Sequence, residues 1–124
     1  SADAAKDGQL NLVDVTEGAE VQVNFGQPSA EAGRWAHQAL ERAVEDIKAG
    51  KIDVVVTCPI NKASIQSEAF QFPGHTEFFE ARCEGSALMI LMNELLRVAL
   101  ATVHVPIKEV PEQITLERVA FAKS

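Results

Sequence analysis

The sequence predicts an α/β domain, layered α/β/α around a mixed sheet, on three observations. Residues 29–50 repeat apolar side chains at three- and four-residue steps, and residues 51–57, KIDVVVT, form a short β-branched run without polar alternation. Two further apolar runs, SALMILM and RVALATV, are separated only by NELL. An amphipathic helix that feeds a strand covered on both faces is the local pattern of layered α/β folds.

Taken in order, residues 1–9 are small and polar and read as a loosely held lead-in; residues 10–124 read as a single α/β domain. LNLVDV (residues 10–15) and VQVNF (residues 21–25) alternate apolar and polar positions around TEGAE, which predicts a hairpin. In the long helix, Ala32, Trp35, Ala36, Ala39, Leu40, Ala43, Val44 and Ile47 define the apolar stripe, Ser29 can cap the start, and Gly50 follows the last turn. His37 falls on the polar side and is expected to face solvent. SALMILM and RVALATV read as buried strands, and the short NELL link requires them to pair antiparallel if they pair directly. Thr115 is a candidate cap for a final short helix.

Composition narrows the function classes. The chain has 124 residues, with 18 acidic against 11 basic, a net charge of −7 and no Lys/Arg cluster, which opposes a nucleic-acid surface. No run of eighteen uncharged apolar residues exists, so no membrane-spanning helix is expected. Cys58 and Cys83 have no CxxC or zinc-type spacing, and a reducing, cytoplasmic setting is expected. Cys58 reads as a small buried side chain rather than a nucleophile, because no partner base is evident. Rossmann, P-loop, GxSxG and HExxH motifs are absent from the sequence.

The chemistry concentrates in residues 57–80, TCPINKASIQSEAFQFPGHTEFFE. Ligands of open α/β sheets collect beyond the carboxyl ends of strands, which is where residues 57–61 fall after DVVV. Pro59 keeps Cys58 extended, Asn61 can cap a helix over KASIQSEAF, and Lys62 adds a positive charge beside free amides. That arrangement suits an anion; the other reading is a solvated Lys beside an ordinary capping Asn. Downstream, Thr76 can cap a helix that begins at Glu77, with His75 just outside it, so an imidazole and a hydroxyl meet at a second helix start. They can bind a polar substrate together, or be a loop His and a plain cap. His104 ends the strand RVALATV; a lone His makes no metal site, and any metal there must take ligands from outside these residues.

VTCPINKASI, FPGHTEFFEAR and LRVALATVHVPIKEVPEQIT, in that order and spacing, resemble the 4-hydroxythreonine-4-phosphate dehydrogenase family of vitamin B6 biosynthesis, over residues from about 26 to 115. The resemblance implies an isocitrate/isopropylmalate dehydrogenase-like fold and a homodimer with a shared metal site. It also implies an NAD(P) cofactor and a divalent metal, Zn²⁺, Mg²⁺ or Co²⁺. The implied reaction oxidises a phosphorylated hydroxy-amino acid, 4-phosphooxy-L-threonine, to a β-keto acid that decarboxylates. On the family's motif His75 and Thr76 fall at substrate contacts and His104 at a metal ligand, while Asn61 and Lys62 are tentative neighbours of an anion site. The family's other metal histidines, its GEPAGIGPE-like segment and its later Lys and Arg substrate contacts have no counterpart here. The chain therefore reads as an internal fragment of a larger two-domain enzyme, expected to be inactive alone. Close alternatives are a paralogue acting on threonate or erythronate 4-phosphate, and a non-catalytic phosphate-binding or dimerisation module.

Overall fold

A computed structural model describes residues 4–20, 22 and 24–123. They divide into two compact units, Ser1–Gly85 and Ser86–Ser124.

The first unit is built on helix α1, Ala30–Lys48. Ser29 holds an extended backbone and its Oγ accepts from Ala32 N at 3.2 Å, so one orphan amide of the first turn is paired. At the other end Ala49 N donates to Glu45 O, and Gly50 takes a left-handed φ of 65° that ends the helix. The stripe read from the sequence supplies the buried Leu40 and Val44. The chain then runs to α2, Lys62–Ile65, and α3, His75–Arg82. Ile65 of α2, Phe78 of α3 and Phe70 between them complete the core. Phe70 and Phe78 stack at 5.4 Å between centroids with planes 21° apart, and Phe72 meets both edge-on. Complete burial of a Phe side chain contributes roughly 1.5–3 kcal/mol, so these rings dominate the unit's stabilisation.

The helix α1 crosses α2 at Gly33, which is buried. A Cβ at residue 33 would lie 1.7 Å from the Ser64 carbonyl oxygen, so only glycine allows this approach.

In the second unit β1, Ile90–Met92, and β2, Arg97–Ala99, pair antiparallel with Leu91 opposite Val98. Asn93 closes the connection: its Oδ1 accepts from Leu95 N and Leu96 N at 2.8 Å each, and its own N–H donates to Leu96 O. A 3-10 turn, Ile107–Glu109, leads into α4, Val110–Gln113, and α5, Leu116–Phe121. Thr115 caps α5, its Oγ1 accepting from Arg118 N at 3.2 Å.

Several expectations need correction. Residues 10–15 form no strand; Leu10 is 98 % and Leu12 88 % exposed, while Val21 and Val23 of the expected partner lie outside the described residues. Residues 51–57 are likewise not a strand, and Val54 and Val56 are exposed rather than covered. A strand exists only where a neighbour completes its ladder, and among the described residues neither segment has one. β1 and β2 pair as expected, but their side chains are exposed rather than buried, Ala99 excepted. The helix expected over residues 62–70 ends at Ile65, since Phe70 turns into the core and its N–H is taken by Ser67 O and Ser67 Oγ.

Candidate functional site

In the first unit the second helix start lies at the aromatic core. Gly74, not Thr76, occupies the cap of α3, and Phe78 N donates to Gly74 O at 3.3 Å. His75 and Thr76 are thus the first two residues of the helix, two residues earlier than the sequence suggested. Glu77 lies in the first turn, where a carboxylate complements the free amides. His75 is half-buried, and its Nε2 is enclosed with no hydrogen-bond partner. An orphaned buried nitrogen costs about 1–3 kcal/mol, which a polar group brought to it would recover.

Asn61 caps α2 as its position suggested, its Oδ1 accepting from Ser64 N at 2.9 Å. With Ser29, Gly33, Pro59 and Ser64 it lines a cleft of about 450 Å³ where α1 meets α2. Lys62, His75 and Thr76 do not line this cleft, and Lys62 is exposed. α2 is a single turn, which gives little dipole, and Asn61 already takes one of its amides. Cys58 is exposed, contrary to expectation, in the extended segment before Pro59.

His104 lies in the second unit, five residues beyond the end of β2, exposed and with a left-handed φ of 55°. Non-glycine residues rarely adopt this conformation, and such strain concentrates at functional positions. The strand therefore stops before His104 rather than at it. Among the described residues no three His, Cys, Asp or Glu side chains gather to hold a metal.

The residue least legible in sequence is His37. It is not solvent-facing: its side chain is only 13 % exposed, with the ring edge-on to Phe70 and Phe78. Its Nε2 donates to Glu41 Oε1 at 3.0 Å. Glu41 in turn accepts from Arg82 of α3, whose Nε lies 3.0 and 3.2 Å from the two carboxylate oxygens and whose Nη2 also bonds Oε1. Arg82's guanidinium lies over the faces of Phe78 and Phe72, at 5.4 and 5.8 Å from their centroids. The paired Arg82 holds the Glu41 carboxyl below its ordinary range, against the raising effect of partial burial, with His37 adding to the fall. A histidine at i and a glutamate at i+4 on α1, with an arginine closing α3, was the signal available.

Residues 1–122 match the family model described as "Pyridoxal phosphate biosynthetic protein PdxA". The chain belongs to the PdxA family. Its relatives include the 4-hydroxythreonine-4-phosphate dehydrogenase of Bacteroides thetaiotaomicron, 50 % identical over 119 residues that make up 94 % of this chain and 32 % of the relative. The enzyme of the same name from Citrobacter koseri is 42 % identical over 94 residues, 75 % of this chain and 29 % of that protein. The crystal structure of a 4-hydroxythreonine-4-phosphate dehydrogenase from Burkholderia phymatum superposes with a TM-score of 0.84 at 32 % identity, covering 99 % of this chain and 38 % of that one. The chain thus spans about a third of the length of these PdxA relatives. An α/β fold is consistent with that neighbour; the described residues by themselves contain one two-stranded sheet.

Proposed function

We propose that the protein carrying this chain is a metal-dependent, NAD(P)-linked 4-hydroxythreonine-4-phosphate dehydrogenase, and that His75 and Thr76 hold its substrate. The observation that supports this most is membership of the PdxA family across residues 1–122. The reaction oxidises the secondary alcohol of 4-phosphooxy-L-threonine: hydride passes to the nicotinamide and the hydroxyl proton is released, leaving 2-amino-3-oxo-4-phosphooxybutanoate. That β-keto acid loses carbon dioxide to give 3-amino-2-oxopropyl phosphate. The enclosed Nε2 of His75 suits a polar substrate group, and Thr76 adds a hydroxyl at the same helix start. Holding a small phosphorylated acid at two fixed points orients its carbinol hydrogen, which is the protein's main contribution to cofactor chemistry.

His104 is proposed as one ligand of the divalent metal, with the others supplied from beyond these residues and shared across a homodimer. The enzyme is proposed to work in the cytoplasm. Incubation with NAD⁺ or NADP⁺, a divalent metal and either 4-phosphooxy-L-threonine, threonate 4-phosphate or erythronate 4-phosphate tests the reading. Absorbance at the reduced-nicotinamide band should rise fastest with the amino acid. Preference for either non-amino substrate would reassign the substrate, and no turnover with any would reject dehydrogenase function.

A further inference from the structure

We propose that Glu41 and Arg82 are positioning residues that set where His75 and Thr76 stand; this rests on the reading of those two residues as substrate contacts. The two residues act on the helix start by leverage. Helix α3 has eight residues, a rod of about 12 Å, and the one residue it buries is Phe78, near its middle. Phe78, with the partly buried Phe79 and Cys83 packed against the same core, seats α3 through apolar contacts that carry no direction of their own. The second anchor is Arg82, one turn beyond, forked onto Glu41 of α1. His75 lies about one turn on the other side of Phe78, so movement at Arg82 is returned at His75 with similar amplitude and opposite direction.

The anchor is better made than an ordinary surface ion pair. Glu41 is held from the other side by His37, which itself meets Phe70 and Phe78 edge-on, so the carboxylate is gripped from two directions. Arg82 engages it through two nitrogens and lies over two rings, and a planar fork over aromatics loses little freedom on binding. The pair spans 41 residues of sequence and joins the two helices directly.

The test compares Arg82→Gln, Glu41→Gln, Arg82→Lys and the charge-swapped double variant E41R/R82E in the protein carrying this chain. The readouts are the amide NMR shifts of His75 and Thr76, the melting temperature, and kcat/KM with 4-phosphooxy-L-threonine. Each Gln variant should move both amide signals and lower kcat/KM on the order of 10- to 100-fold, the scale of an ångström-level misplacement. Arg82→Lys should move them less and in the same direction, and the double swap should return them toward wild type. Folded variants with a lowered melting temperature but unmoved His75 and Thr76 signals would overturn the proposal, leaving a purely structural pair. Wild-type protein without turnover would instead reject the dehydrogenase reading, while the amide shifts still decide whether Glu41 and Arg82 position α3.

Discussion

At Gly33 a single hydrogen in place of a methyl group lets α1 and α2 meet. Because a Cβ there would lie 1.7 Å from Ser64 O and 2.9 Å from Ile65 N, both backbone atoms, relief requires the helices to part. Gly33→Ala should therefore destabilise the first unit by on the order of 1–3 kcal/mol, despite the better helix propensity of Ala, as read from a denaturant midpoint. A stabilised variant would mean that the crossing is looser than described. Glu41 gives a pH signature. Its carboxyl is held below the ordinary 4.5, first by Arg82, and the groups facing it are Arg82 from α3 and His37 from α1. A depressed folded-state pKa contributes stability that is complete above the unfolded value and is lost as pH falls through the folded one. The stability difference between wild type and Glu41→Gln should be constant near neutrality and shrink below about pH 4.5, measured by unfolding at a series of pH values. A difference that grows in acid would contradict the pairing.

At the scale of elements, the core depends on Phe78, which ties α3 to α1 and α2. Phe78→Ala should cost about 3–5 kcal/mol and release the start of α3 as well as its middle. Near-neutral stability would show that Phe70 alone carries the packing. The helices were legible to different degrees. α1 and α5 were readable because cap, apolar spacing and stop lie within the segment: Ser29 to Gly50 in one case, Thr115 onward in the other. The start of α3 is not legible in the sequence because Gly74 caps through its backbone, leaving no side-chain signature. The burial of His37 is not legible either: its neighbours Phe70 and Phe78 come from other segments, and helix periodicity alone puts it on the polar side. Residues 10–15 and 51–57 have strand-like patterns, but pattern specifies only which faces want cover. The ladder partner is a tertiary fact.

At the scale of the molecule, the apolar surface is the main feature to explain. Val54, Val56, Leu91, Met92, Leu95 and Leu96 are all more than half exposed, among a chain that spans about a third of its PdxA relatives. Exposed apolar side chains in strand-like segments favour association. The chain on its own should elute from a sizing column ahead of its 13.4 kDa mass, more so at higher concentration. A concentration-independent monomer would contradict this. No helix among the described residues is long and apolar enough to cross a membrane. GHTEFF and VHVP mark the proposed site residues in the sequence, whereas the His37–Glu41–Arg82 anchor has no such mark, because it is assembled from two helices.

The central claim is that His75 contacts the substrate of a PdxA-type dehydrogenase, and it is tested most directly by kcat/KM for 4-phosphooxy-L-threonine in His75→Ala against wild type, with NAD(P) and metal saturating. The expected result is measurable wild-type turnover and a loss on the order of 100-fold or more in a variant with an unchanged melting temperature. Wild-type turnover retained within a factor of about two in His75→Ala would contradict it.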